Sequence, residues 1–160
     1  MATELMVALM PHGLMAGITG LVSGLAVLLH YQGLALLSRG LRRLPGRARP
    51  RILMLILALL VLHGLSILLY GAAYFACVQA EGFGRLQPLH PQVVVDGLLD
   101  FAYFSAVVYT TVGFGEIVPK GSLRALAGAE GVTGLTLITW SASYTYLEMQ
   151  QYWRADDRPL

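Results

Sequence analysis

The chain has 160 residues, of which 56% are hydrophobic and only 12% charged, with a formal net charge of +2. Soluble domains carry about 25% charged residues, so a water-soluble fold of this length has nowhere to hide so much apolar surface. The composition excludes an ordinary soluble enzyme, the small net charge gives no reason to expect a nucleic-acid partner, and an all-α integral membrane protein is expected.

Leu14 to Leu37 is the first of three nearly charge-free stretches. It is longer than the about 20 residues that carry a helix across a hydrocarbon core of about 30 Å. No Lys or Arg precedes it, and it exceeds the about 7–15 residue core of a signal peptide, so it is expected to stay in the mature protein. Gly13, Gly17, Gly20 and Gly24 make two small-xxx-small steps on this helix, which predict close helix packing.

The next segment, RGLRRLPGRARPR, holds six of the 11 basic residues: Arg39, Arg42, Arg43, Arg47, Arg49 and Arg51. Pro45, Gly46 and Pro50 break helices, so the segment reads as a loop. Short Arg-rich loops stay in the cytoplasm, which predicts a multi-pass protein of the plasma membrane with its N-terminus outside and its C-terminus cytoplasmic. The same arginines are candidate partners for anionic lipid. A second span follows from Ile52 to Val78. Its lone Cys77 makes no intrachain disulfide, and no Cys/His cluster suggests a metal site.

Beyond an outside segment that includes a GFG at Gly82 to Gly84, read as a plain turn, the piece from Val93 to Val108 contains Asp96 and Asp100. It is too short and too polar for a span, and reads as a segment that enters the membrane without crossing. Asp96 with Gly97 is expected to cap a helix over Leu98 to Tyr109. TTVGFGE, Thr110 to Glu116, comes next. Non-helical backbone at membrane depth persists only where it is buried in protein or lines a wet cavity. Gly113 and Gly115 accept positive φ, and at alternate positions they let a strand turn successive carbonyls to one side. A row of carbonyls facing one axis replaces the hydration shell of a cation.

The third span runs from about Leu123 to Leu147 and contains Gly128, Gly131 and Gly134, candidate hinges, together with Glu130. An ionisable residue within a span is costly and points to function or to a paired partner. The tail YWRADDRPL, with Tyr152, Trp153, Arg154 and Arg158, suits an inner-interface anchor. The expected organisation is an N-terminal helix and basic loop over residues 1–51, a pore module over 52–148 and a short cytoplasmic tail over 149–160.

YFSAVVYTTVGFGEIVP, Tyr103 to Pro119, resembles the pore helix, selectivity filter and outer mouth of the tetrameric potassium-channel superfamily, whose signature is written TTVGYGD followed by a proline. The likeness extends over roughly Ile52 to Leu147, with the first span as an addition. It implies three transmembrane helices with a re-entrant pore helix and selectivity filter between the second and third. It also implies that the carbonyls of Thr111, Val112, Gly113 and Phe114 and the Thr111 hydroxyl coordinate K⁺, with Thr110 and Gly115 completing the filter. Phe114 stands where tyrosine is commonest, removing a hydroxyl that braces the filter in the family, and other branches carry GFG too. Glu116 replaces the outer-mouth aspartate and keeps its charge, which would concentrate cations there. One filter segment per chain implies a homotetramer in the bilayer.

The resemblance implies a channel without catalytic residues, and with no cofactor beyond the permeating K⁺. The first two spans lack the regularly spaced arginines of a voltage sensor. Alternatives are a weakly selective cation channel, a non-conducting subunit with a pore-like fold, and a haem protein using His30 and His63, for which hydrogen-bonded packing histidines are the plainer expectation. His12 and His90, at segment ends, suit interfacial positions.

Overall fold

The computed structural model describes residues 2–43, 48–80 and 82–156. Four helices, α1 (Ala2–Arg43), α2 (Ala48–Gln79), α3 (Leu98–Tyr109) and α4 (Leu123–Asp156), are joined at one end by a two-stranded sheet of β1 (Leu86–Pro88) and β2 (Ile117–Pro119). Among the described residues, His12–Leu41 and Pro50–Gln79 are long and apolar enough to cross a membrane. At about 1.5 Å per residue, α4 also has ample length. It is less apolar because it carries Glu130 and a series of hydroxyl residues. Those hydroxyls fold back on their own helix: Thr136 donates to the Val132 carbonyl, Thr139 to Leu135, Ser143 to Thr139 and Thr145 to Ser141, at 2.8–3.0 Å. Polar atoms satisfied in this way are compatible with an apolar medium.

α1 lies against both α2 and α4, and α3 is wedged between α2 and α4. The larger buried cluster gathers around α3 and includes Tyr70, Tyr74, Phe101, Phe104, Tyr109, Leu126 and Leu137. A smaller one, Leu34, Leu41, Leu55, Leu59 and Leu62, closes the opposite end of the α1–α2 pair. The place of the first span, open in the sequence, is therefore against both long helices of its own chain.

Several expectations are corrected. The basic segment is mostly helix: Arg39, Arg42 and Arg43 end α1, while Arg49, Pro50 and Arg51 begin α2. Pro50 is tolerated there because the first-turn N–H groups have no intrahelical acceptor to lose. Pro45, Gly46 and Arg47 lie outside the described residues, as does Arg158. The close packing expected at Gly13, Gly17, Gly20 and Gly24 is not met within the chain, since a Cβ at any of them meets nothing within 4 Å. The close approach of α1 and α2 is instead at Gly33, where a Cβ would stand 2.7 Å from Leu62. The tail continues α4 through Asp156.

At the sheet end, Leu86 pairs with Pro119, Gln87 with Val118 and Pro88 with Ile117, in antiparallel register. The second GFG has a packing use beyond a plain turn. Gly84, at φ +118°, would place a Cβ 2.0 Å from the Lys120 carbonyl oxygen, so no side chain fits. The Phe83 carbonyl accepts the N–H groups of Ser122 (2.9 Å) and Leu123 (3.3 Å), tethering this loop to the start of α4. His12 Nδ1 lies 3.1 Å from Ser122 Oγ and brings α1 to the same end.

Candidate functional site

α3 begins where the helix was expected, with a different cap. Gly97 is the N-cap residue, and Asp100, not Asp96, supplies the carboxylate: its Oδ2 accepts the N–H of Gly97 at 2.9 Å and that of Asp96 at 3.1 Å. A carboxylate in the first turn satisfies free N–H groups and meets the positive end of the helix dipole. α3 buries Phe101, Phe104, Ser105 and Tyr109. Phe101 meets Phe75, and Phe104 meets Tyr74, edge to face with centroids 5.5 and 5.0 Å apart. Two glycines let the neighbours approach. A Cβ on Gly71 of α2 would lie 2.9 Å from Ala102 Cα, and one on Gly134 of α4 would lie 2.2 Å from the Tyr109 carbonyl oxygen.

The helix therefore ends at a defined height, and TTVGFGE leaves from it. Thr110 N–H donates to Ala106 O (3.1 Å), Thr111 N–H to Val108 O (2.9 Å) and Gly113 N–H to Val107 O (3.3 Å), while Thr110 Oγ1 donates to Ala106 O. Beyond this point the backbone alternates in handedness. Thr111, Gly113 and Gly115 have φ of +58°, +60° and +80°, whereas Val112 and Phe114 do not adopt positive φ. For the glycines this costs little. Thr111 is β-branched, and a left-handed conformation there holds about 1–3 kcal/mol of strain of the kind that collects at functional sites. The Val112 and Phe114 side chains stand exposed on the single chain, at 55% and 69%.

Glu116 is held toward α3. The Tyr103 hydroxyl donates to its carboxylate, and its carbonyl accepts the Leu89 N–H at 2.8 Å. The segment is thus braced at both ends, by α3 before it and by the sheet after it.

Behind α3 lie two polar groups of contacts. Glu130 is fully buried on α4; it accepts the Tyr74 hydroxyl of α2 at 2.6 Å and the Ser105 hydroxyl of α3 at 2.5 Å. Ser105 Oγ also lies 2.8 Å from the Ile67 carbonyl. Glu130 therefore joins three helices. Nearer the middle of the bundle, Ser141 Oγ lies 2.9 Å from His30 Nε2 and 3.0 Å from His63 Nε2, and His63 Nδ1 lies 2.9 Å from the Tyr109 hydroxyl. The two imidazole rings stand 5.0 Å apart with both Nε2 atoms turned to one hydroxyl, the packing arrangement. This chain of contacts links α1, α4, α2 and the residue just before TTVGFGE. Of the candidate hinges, Gly134 is filled by Tyr109, Gly131 would place a Cβ 3.8 Å from Val108 O, and Gly128 faces open space.

A family described as "Ion channel" matches residues 62–151, more than half of the chain. The chain belongs to the ion channel family. The matched region begins part-way along α2 and takes in α3, TTVGFGE and most of α4, while α1 lies outside it. Comparison with curated proteins gave no match, and neither did comparison with solved structures. This ion channel is all-α and membrane-embedded, with α1 and α2 as apolar membrane helices.

Sequence reasoning missed the sheet, the Tyr103–Glu116 brace and the His30–Ser141–His63–Tyr109 chain. Tyr103 and Glu116 lie on different elements, and no periodicity relates them. The histidines were visible as polar residues within apolar spans, and that signal pointed to buried partners without naming them.

Proposed function

We propose that the protein is a potassium channel that conducts K⁺ passively down its electrochemical gradient. The carbonyls of Thr111, Val112, Gly113 and Phe114, with the Thr111 hydroxyl, form the coordinating rings, Thr110 and Gly115 complete the filter, and Glu116 flanks the outer mouth. The reading is carried by one observation, the alternation of positive φ at Thr111, Gly113 and Gly115 in a segment held from the end of α3. Residues that alternate in handedness turn successive carbonyls toward one side, and carbonyl rings are what replaces the water shell of K⁺.

One chain offers one such segment, so the pore is a homotetramer around a fourfold axis. The exposure of Val112 and Phe114 supports assembly, because apolar side chains on a braced segment gain cover from neighbouring copies. α1, α2 and α4 cross the plasma membrane and α3 re-enters from the outside. The Arg-rich connection lies in the cytoplasm, giving an outside N-terminus and an inside C-terminus. The α3 C-terminus aims its partly negative end toward the ion path. Gly128 and Gly131 are the hinge candidates with room to move.

The test is flux from liposomes holding the purified protein, with K⁺ against Na⁺ gradients and Gly113→Ala beside the native chain. K⁺ flux well above Na⁺ flux, lost in the variant, is expected. Equal fluxes would replace this reading with a weakly selective cation channel, and silence to both ions would favour a non-conducting subunit.

A further inference from the structure

α1 and α2 touch at Gly33 and Leu62 and then part. At Gly33 a Cβ would press on Leu62, whereas at Gly40, two helical turns on, it would meet nothing within 4 Å. The divergence opens a groove of about 450 Å³. Leu36, Gly40, Met54, Ala58, Val61 and Leu65 line it, and every lining residue is apolar. Leu36 and Val61 are 63% and 64% exposed, so the wedge is open along its side.

Its far end is basic. Arg39 is exposed beside Gly40, with its Nε on the Ala35 carbonyl at 3.1 Å. The Arg51 guanidinium donates to the carbonyl of Leu41, itself a groove residue. Arg42, Arg43, Arg47 and Arg49 occupy the same stretch of chain, and no acidic residue occurs anywhere from Tyr31 to Leu65. An apolar slot whose far end adjoins an arginine-rich stretch of chain matches a molecule with a hydrocarbon chain and an anionic head, and arginine pairs geometrically with phosphate oxygens. The volume is that of a small-molecule site, for which about 300–1,000 Å³ is usual.

We propose that this wedge binds an anionic phospholipid, with an acyl chain lying along Gly40 and Ala58 and the phosphate between Arg39 and Arg51. It is a lipid site on α1, the helix outside the matched channel region. The inference rests on α1 and α2 being membrane helices and is independent of which ion passes TTVGFGE.

Native mass spectrometry of the purified, detergent-held protein tests it with phosphatidylglycerol and phosphatidylcholine of identical chains. Each basic residue near an anionic lipid surface strengthens binding about fivefold. Phosphatidylglycerol is therefore expected to be held at least tenfold more tightly than phosphatidylcholine, and Arg39→Gln to remove about fivefold of that preference. Gly40→Leu fills the open end without a clash and is expected to displace both lipids. Gly24→Leu, outside the groove, leaves binding unchanged. Equal retention of the two lipids would overturn the proposal. So would phosphatidylglycerol retention that survives Gly40→Leu, or displacement of the lipid by free glycerol phosphate at the same concentration, since the chain-binding groove would then be idle. A change of oligomer mass in Gly40→Leu would assign the groove to a second copy and overturn it as well. Because mass is read and not flux, a chain that passes no ions still tests the idea.

Discussion

The same substitution at two glycines of α4, six residues apart, is expected to act in opposite ways. A Cβ on Gly134 would stand 2.2 Å from the Tyr109 carbonyl oxygen, 2.9 Å from its carbonyl carbon and 3.0 Å from Cγ of its ring. Two of those atoms are backbone at the end of α3, and the Tyr109 ring is fully buried with its hydroxyl on His63, so no flexible side-chain tip can yield. Overpacking of this kind costs about 1–3 kcal/mol, and relief requires α3 and α4 to separate. On Gly128 a Cβ meets nothing within 4 Å. Alanine there is free to gain the about 1 kcal/mol by which it exceeds glycine in a helix. For a chain of this size about 2–4 °C accompanies each kcal/mol. Gly134→Ala should thus lower the thermal midpoint of the purified protein by several degrees, and Gly128→Ala should leave it unchanged or raise it slightly. Movement of Tyr109 also displaces Thr110 and Thr111, so under the proposed function Gly134→Ala should reduce the K⁺ over Na⁺ flux ratio. Equal midpoints for the two alanine variants would refute the claim that α4 is seated on α3 at Gly134.

Glu130→Ala leaves the Tyr74 hydroxyl without its acceptor at a buried site, about 1–3 kcal/mol, whereas Ser105 retains the Ile67 carbonyl. The thermal midpoint should fall clearly in Glu130→Ala and less in Glu130→Gln, which keeps a carbonyl oxygen; an unchanged midpoint in the alanine variant would count against the three-helix junction. His30→Phe and His63→Phe should be non-additive, because each removes a partner of the same Ser141 hydroxyl, and a double-mutant cycle in thermal stability with no coupling would remove the proposed chain. Tyr103→Phe takes away the donor to Glu116 without altering the ring, and under the proposed function it is expected to lower the K⁺ over Na⁺ flux ratio in the liposome assay without changing the oligomer mass.

The membrane class, the long apolar helices and the bounds of α3 were legible in the chain because they depend on local properties. Apolar run length, charge-free composition and a capping signal act over a turn or two of helix. The bounds Leu98–Tyr109 came from such a signal, although the carboxylate that caps the helix is Asp100 and not Asp96. The glycine spacing of TTVGFGE likewise announced an irregular backbone, because glycine admits the positive φ that Gly113 and Gly115 adopt. Positive φ at Thr111 could not be read that way, since a β-branched residue adopts it only when its surroundings impose it.

Pro50 shows the limit of residue-type reasoning. By residue type it reads as a breaker within a loop, and its first-turn position makes it harmless. The four glycines of the first span carry a packing pattern with no contact inside the chain, while Gly33, outside that pattern, makes the contact. Residue order alone shows which segments prefer apolar surroundings, where helices start and where the backbone can bend leftward. Packing in three dimensions sets α1 against α2 and α4, brings Glu130 to Tyr74 and Ser105, and connects His30 to Tyr109 through Ser141 and His63. Those contacts join residues as many as 111 positions apart in the chain. Their formation depends on how helices rotate and cross, which apolar periodicity leaves open when nearly every face of a membrane helix is apolar.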